Sequence, residues 1–587
     1  MSSLSSAFAK LRPFGHGKEE DEDRGEALGG DSAQAEGSGD MVAGGGHAAR
    51  KTEMWNRLRV SPALRRFLAA EGVLSEEDAG VGLPDDAPLP EALRELVARP
   101  HAVCPPELTD RSHPLCDYLI SSSHNTYLLA HQLYGKSCPS GYETVLSAGA
   151  RCVEIDAWDN DKDPAEPKVT HGFTLVSHIS YRSVCETIRD AILAAEAKGH
   201  PSAPVFISLE NHCGPAGQKR LVEIAHEVFG DRLLVMDPRD SEDKGEHVTL
   251  AELGNKVCLM VEYYFPGQKP GESDDESTSS DSDSDSDSEV KNDREKAKEM
   301  YAAQRDAAPS ANIIPELSAL GVVVQSVKPP SNAWFESKLA NAPPHHLINI
   351  SETGLAKHLP TNTDKVSAHN SKHLMRVYPK GTRISSKNLH PVPFWGIGAQ
   401  VCALNWQTFG AAMQLNEALF YGTDGYVLKP SYRRHGATGQ PSGRKKRLTL
   451  RVAGATDVPT KSKEGKEIKP YLSCTLIHPD KFGKPPKRKT DGYAPHKTLT
   501  FLNNADMPPA TDPVWDETLE WEYKDDEMVF LRMLLKSDDK FARNPVIAAA
   551  AIRLLYAVPG WSFVRMINLN GRETACSVLV HLKIEDV

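Results

Sequence analysis

Between residues 111 and 265 the chain alternates short apolar runs ending in polar groups with longer segments of helical period. The pattern predicts strands at 117–122, 152–158, 205–210 and 256–264, and helices at 183–198 and 217–229, ended by Gly199 and Gly230. In the second helix Leu221, Ala225, Val228 and Phe229 share one face. The alternation resumes at about 311, with apolar strands at 321–326, 347–350, 400–405 and 425–428. Alternating β and α elements predict a parallel sheet with helices outside. Eight or so such units closing into a barrel fit the length. From about 446 short strands of period two are separated by Pro, Gly and Asp turns, which predicts a β-sandwich over 446–587.

Two stretches break these patterns. Residues 1–50 are rich in Gly, Ser and charge, and cannot bury a core. Residues 266–310 read as a solvated linker: from Glu272 to Glu289 there are nine acidic residues, many serines and no base. Residues 51–110 carry short helical patterns, in which Trp55, Leu58, Leu64, Phe67 and Leu68 form a small amphipathic piece. No twelve-residue calcium loop with alternating Asp/Asn occurs there. The domain reading is therefore tail 1–50, helical 51–110, half-barrel 111–265, acidic linker 266–310, half-barrel 311–435 and sandwich 446–587.

Composition narrows the class. The chain has 587 residues, 40% of them hydrophobic, enough for several packed cores. No apolar run approaches the roughly 18 residues of a membrane span, and the N-terminus lacks a secretory pattern. Ten scattered cysteines without zinc spacing read as reduced thiols of a cytoplasmic protein. The net charge of −12 sits largely in the tail and linker and does not suggest a nucleic-acid partner.

The chemistry lies at strand ends. One strand ends in Ser-Ser-Ser-His124-Asn125, the next carries Glu154 and Asp156, the third ends in Glu210-Asn-His, and His171 lies between the last two. Residues two apart in a strand share a face, so Glu154 and Asp156 point the same way. Two converging carboxylates repel unless a cation lies between them; Ca²⁺, which takes mixed carboxylate and amide oxygens, fits, with Glu210 and Asn125 available. A solvated acidic strand face is the plain alternative for the pair. Histidines titrate near neutrality, so His124 and His171 suit a phosphate ester, one stabilising the phosphorane and one protonating a leaving alkoxide.

These residues carry a resemblance. His113 to Asp159, with Thr170 to Thr174 and Ser208 to His212, closely resembles the X region of eukaryotic phosphoinositide-specific phospholipases C. Residues 347–430 resemble the Y region through Asn349-Ile-Ser351-Glu, Met375-Arg376-Val-Tyr378-Pro, Ala403-Leu-Asn-Trp-Gln-Thr and Gly425-Tyr-Val-Leu-Lys-Pro, and the tail resembles the family's C2 domain. The resemblance implies an α/β fold: a distorted TIM barrel split into X and Y halves by an inhibitory acidic linker, followed by an all-β C2-type sandwich. It implies Asn125, Glu154, Asp156 and Glu210 as Ca²⁺ ligands, and His124 as the group stabilising the pentacovalent transition state. His171 would protonate the diacylglycerol oxygen and then act as base in hydrolysis. The nucleophile would be the inositol 2-hydroxyl, with Glu154 as its base, giving a cyclic phosphodiester intermediate. Ser351 and Arg376 would hold the inositol 4-phosphate, Tyr378 would pack on the ring, and Leu133, Phe173 and Leu175 would form an apolar rim dipping into lipid.

The implied protein is a cytoplasmic, calcium-dependent phosphoric diester hydrolase, peripheral on anionic membranes, acting on phosphoinositide lipids under an upstream activator that the chain does not identify. A catalytically silent, phosphoinositide-binding scaffold is the alternative; it would be expected to lack a histidine or a calcium ligand, and none is missing. A bacterial-type, metal-free enzyme would not need Glu154, Asp156 and Glu210 together. One departure bears on selectivity. Met260 and Glu262 stand where the family has two lysines for the 4- and 5-phosphates, so 5-phosphate recognition is weakened, and phosphatidylinositol or its 4-phosphate joins or replaces the 4,5-bisphosphate. In the C2-like tail Lys469 replaces an expected aspartate, which argues against a calcium sensor there. The basic runs Arg444-Lys-Lys-Arg447 and Lys484 to Lys489 read as lipid contacts or solvated loops.

Overall fold

The computed structural model describes residues 58–587 apart from 86, 130–135, 172–176, 201–202, 240–246, 266–312, 330, 337–338, 382, 384–385, 438–440, 460–467, 481–484, 494–506 and 539–545. The acidic linker and the rim residues Leu133, Phe173 and Leu175 fall outside the described residues.

Eight strands follow one another around a ring in chain order: β1 Tyr118–Ile120, β2 Cys152–Trp158, β3 Val205–His212, β4 Val257–Tyr263, β5 Gln325–Val327, β6 His346–Ser351, β7 Leu374–Tyr378 and β8 Val401–Cys402. From β2 to β8 each strand pairs in parallel with the next, and β8 pairs in parallel with β1. A parallel bridge between Ser122 and Cys152 joins β1 to β2 and closes the barrel. A ninth strand, β9 Tyr426–Leu428, runs antiparallel along β1.

Strand composition explains the closure. Val153, Ile155 and Ala157 of β2 are fully buried, yet so are Glu154 and Asp156 on the other face. A strand covered on both sides suits a parallel barrel, with apolar residues under the helices and polar ones toward the axis. The covering helix α1 Tyr181–Ala197 buries Tyr181, Val184, Cys185, Ile188 and Ala191, a single helical stripe. It starts two residues earlier than periodicity predicts because Ser180 caps it, accepting from Ser183 N. Helix α2 Pro215–Phe229 likewise starts two residues early, at Pro215, and stops at Gly230. The strand expected over 400–405 has ladder pairing at Val401–Cys402 and continues through a parallel bridge of Leu404 with Ser123, which brings Asn405 to the barrel mouth.

The C-terminal region is an eight-stranded antiparallel sheet folded into a sandwich: β10 Lys445–Thr456, β11 Pro470–Ile477, β12 Lys487–Lys489, β13 Val514–Lys524, β14 Phe530–Ser537, β15 Val546–Arg553, β16 Gly560–Ile567 and β17 Glu573–Asp586. Its order is β12-β11-β14-β15-β16-β17-β10-β13. Barrel helix α3 Ala411–Leu419 packs on β14 and β15. There Arg532 Nε donates to Gln414 Oε1 at 2.7 Å in a buried setting, and Tyr556 donates to the Leu419 carbonyl at 2.9 Å.

Of the amphipathic piece near the N-terminus, Leu64, Phe67 and Leu68 lie in a helix at Pro62–Ala70, Leu58 precedes it, and Trp55 falls outside the described residues. The helix docks on the sandwich: Leu64, Phe67 and Leu68 join Ala453, Val514, Phe563 and Leu579 in one cluster. Burying each large side chain contributes about 1.5–3 kcal/mol. All ten cysteines are free thiols. Among the described residues no helix is long and apolar enough to cross a membrane.

Candidate active site

The polar strand ends converge on one end of the barrel, the C-terminal end of its strands. Register puts Asp156 of β2 beside Glu210 of β3, and alternation puts Glu154 on the same face as Asp156. One carboxylate oxygen from each of Glu154, Asp156 and Glu210 lies within 4.8 Å of the others. Glu154 and Asp156 are 1% and 6% exposed, so a solvated acidic face is excluded.

A shell of donors holds this cluster. Asn125, at φ 45°, turns its backbone N–H onto Glu154 Oε2 at 2.7 Å. The Tyr127 hydroxyl bonds Asp156 Oδ2 and lies 3.1 Å from Asn125 Oδ1. Tyr142 donates to the Glu154 carbonyl at 2.7 Å, and Glu154 N–H donates to Thr126 Oγ1. Arg376, at mid-strand in β7, reaches across the barrel to pair with Glu154 and donates to Asn349 Oδ1 at 3.1 Å. Burial opposes the charge of Arg376, but Glu154 and Glu210 outweigh it and its pKa rises.

The arrangement fits a hard divalent cation. Three carboxylates and one guanidinium leave the pocket net negative. Burial, reinforced by Glu210 and Glu154, pushes the Asp156 carboxyl well above the usual range, and its Oδ1 is buried without a hydrogen-bond partner. An oxygen set of two to three carboxylates plus the Asn125 side chain matches calcium's preference.

His124 stands at the edge of this cluster, with Nε2 4.0 Å from Glu154 Oε2. Its Nδ1 lies 2.9 Å from Asn405 Oδ1. The Asn405 amide donates to the Lys387 carbonyl, so its oxygen faces the ring and Nδ1 carries a proton. Burial, then the Arg376 charge, pushes His124 down to about 4, so in the free protein its Nε2 is a lone pair. His171 is buried just beyond β2, close enough to His212 for their charges to interact, and His212 stacks on Trp158 with centroids 4.1 Å apart.

Ser351 and Tyr378 end the neighbouring strands β6 and β7 in register. Ser351 Oγ caps the following turn by accepting from Gly354 N at 3.0 Å, and the Arg376 guanidinium lies 5.7 Å from the Tyr378 ring centroid. The Nε of Arg376 is buried with no hydrogen-bond acceptor. Glu352, beside Ser351, is bound by Arg383 at 2.8 Å and by Lys380 N at 2.9 Å.

Met260 is buried in β4, and half-buried Glu262 accepts from Asn211 N at 3.2 Å. Burial pushes Glu262 up to about 7, with Lys328 opposing and Glu210 adding to the rise. Asn405, Tyr127 and Lys328 escaped the sequence reading. Lys328 directly follows β5 and Asn405 directly follows the Leu404 bridge, the signal that picked out His124, whereas Tyr127 lies in the loop beyond it. In the sandwich, three of the four basic residues from Arg444 to Arg447 make ion pairs: Arg444 with Asp586, Lys446 with Asp525, Arg447 with Glu522. Lys469 and Asp538 are both exposed.

The chain has relatives among known proteins. Family models for the phosphatidylinositol-specific phospholipase C X domain match residues 111–263, for the Y domain 317–432, and for a C2 domain 446–562. The 1-phosphatidylinositol 4,5-bisphosphate phosphodiesterase delta-4 of Xenopus laevis is 30% identical, over 81% of this chain and 61% of its own length. The enzyme of the same name numbered 1 in Candida albicans is 29% identical, over 81% and 47%. A crystal structure of L. pealei PLC21 superposes with TM-score 0.66 at 25% identity, covering 91% of this chain and 66% of that one. The chain spans 61% or less of the length of these two curated relatives.

Proposed function

The chain belongs to the phosphatidylinositol-specific phospholipase C family, carrying its X, Y and C2 domains, and on that premise we propose that it is a calcium-dependent phosphoinositide phospholipase C acting at anionic membrane surfaces. The observation that carries this reading is the meeting of Glu154, Asp156, Glu210 and Asn125 with His124 and Arg376 at one barrel mouth. Asn125, Glu154, Asp156 and Glu210 would hold Ca²⁺. A bound cation there lowers the pKa of a coordinated hydroxyl and offsets phosphate charge.

The protein's own groups then divide the work. Arg376 and Ser351 bind the 4-phosphate, and Tyr378 packs on the inositol ring. The substrate's 2-hydroxyl attacks phosphorus while Glu154, whose oxygens keep spare lone pairs beside Arg376 and Asn125, accepts its proton. The diacylglycerol oxygen leaves with a proton from His171. Water then opens the cyclic phosphodiester with His171 as base. His124 can donate to the phosphorane only as an imidazolium, because Asn405 holds its one neutral-state proton on Nδ1. An incoming phosphate supplies the negative charge that raises its pKa, so the group charges when substrate binds.

The test is release of water-soluble inositol phosphates from vesicles holding phosphatidylinositol, its 4-phosphate or its 4,5-bisphosphate, with calcium or with chelator. Calcium-dependent release is expected. Calcium-independent release would remove the carboxylate cluster from the mechanism, and no release from any lipid would leave a binding scaffold.

Headgroup preference is expected to depend on pH. Below about 7 Glu262 is neutral; above it a carboxylate faces the 5-phosphate position. The ratio of 4,5-bisphosphate to phosphatidylinositol hydrolysis should therefore rise as pH falls through about 7, and Glu262→Gln should flatten that dependence. A ratio that follows pH equally in both proteins excludes Glu262 as the determinant.

A further inference from the structure

At the opposite end of the barrel, Cys116, His247 and His435 bring one sulfur and two imidazole nitrogens within 4.8 Å of one another. They come from three distant segments: the approach to β1, the approach to β4, and the connection after β9. Backbone hydrogen bonds hold these segments together independently of the three side chains. Leu115 N donates to the Val248 carbonyl at 2.8 Å, and Leu250 N to the His113 carbonyl at 3.2 Å. Lys429 N donates to the Asp117 carbonyl at 2.8 Å, and His435 N to Asp117 Oδ1 at 2.6 Å. The donors are thus carried on a rigid frame, which lowers the ordering cost of any ligand that joins them.

The donor chemistry selects the ligand. One thiol and two imidazoles form a borderline-soft set, unlike the all-oxygen cluster at the barrel mouth. Cys116 is 3% exposed, while both histidines are half-buried, which leaves a path for an ion. Tetrahedral zinc sites use this set, with bonds of about 2.3 Å to sulfur and about 2.0–2.1 Å to nitrogen. Ligand atoms in such a site lie roughly 3.5 Å apart, so small side-chain rotations suffice to close the cluster. Asp117 Oδ1 lies 4.0 Å from the sulfur as its hydrogen-bonded support, which leaves the fourth position to water.

We propose that Cys116, His247 and His435 form a structural zinc site that fastens the X half of the barrel to the segment leaving the Y half. On binding, the Cys116 thiol loses its proton to solvent, releases its hydrogen bond to the Ser371 carbonyl, and coordinates as thiolate. His247 and His435, whose rings now pack edge to face at 4.9 Å, coordinate through one nitrogen each.

The test uses the full chain, stripped of metal and titrated with Co²⁺ in excess Ca²⁺. A cobalt–thiolate charge-transfer band in the near ultraviolet is expected, bleached by one equivalent of Zn²⁺. Carboxylate sites give no such band, so failure at the barrel mouth is distinguishable from failure here. Cys116→Ala should abolish the band, and His435→Ala, a less buried change that should fold, should weaken cobalt binding. Zinc should raise the melting temperature of the wild type and of neither variant. No band in the wild type, or a band that survives Cys116→Ala, overturns the site and leaves the two rings as packing.

Discussion

Replacing His124 by alanine is expected to lower turnover of vesicle-borne substrate by about 10²–10⁴-fold, the usual range for a positioned proton donor. The loss should fall on kcat, because His124 acts on charge that develops at phosphorus during the reaction. The fold should survive. The ring bonds the side chain of Asn405, and leaving that acceptor unpaired costs about 1–3 kcal/mol. The calcium requirement should persist, since Glu154 keeps the Asn125 N–H and Arg376. His171→Ala should fall as far with the lipid but recover with a water-soluble inositol phosphodiester whose leaving group needs no proton. His124→Ala should not recover with that substrate. If both variants recover alike, the two histidines do not divide the work as proposed, and if His124→Ala stays within tenfold of wild type the ring is only part of the wall.

Much of this site is legible in the amino-acid sequence. Alternation placed Glu154 and Asp156 on one face of β2, and the polar ends of successive apolar runs marked His124 and Glu210. Strand order converts those marks into proximity, because consecutive parallel strands are neighbours around the ring. Partners across the ring were less visible. Arg376 meets Glu154 from 222 residues away, and only closure of the barrel brings them together. The Asn405 contact depends on the bridge of Leu404 to Ser123, a pairing across 281 residues that hydrophobic period alone does not signal. Nor does an amphipathic stripe name its cover: Leu64 and Phe67 announce a buried face, but not that the sandwich more than 380 residues on would cover it. The cysteine–histidine cluster has no local spacing motif, since its frame is built by backbone pairing between segments.

The second large effect is expected from Asp156→Asn, and it has opposite signs with and without calcium. In the metal-free protein three carboxylate oxygens crowd within 4.8 Å against a single guanidinium. Burial and the two neighbouring carboxylates raise the Asp156 pKa, so the folded state holds that proton more tightly than the unfolded chain does. Stability is fully retained below the ordinary value of 3.8 and is lost as pH rises through the raised folded value. At neutral pH the substitution removes that penalty. Its amide oxygen can still accept from Tyr127, and its new N–H groups can serve a neighbouring carboxylate, so the metal-free variant should melt at a higher temperature than wild type. Calcium reverses the order. A cation at a thousand times its Kd stabilises the folded state by about 4 kcal/mol, a gain scaled by ligand charge. Losing one of three carboxylates should weaken calcium by about one to three orders of magnitude, and lipid hydrolysis with it. Melting curves of both proteins in chelator and in saturating calcium decide the matter: the wild type should gain most of its stability from calcium and the variant little. If the variant melts lower in chelator and gains as much from calcium, Asp156 is a structural acid stabilised by Tyr127 and not part of the cation site.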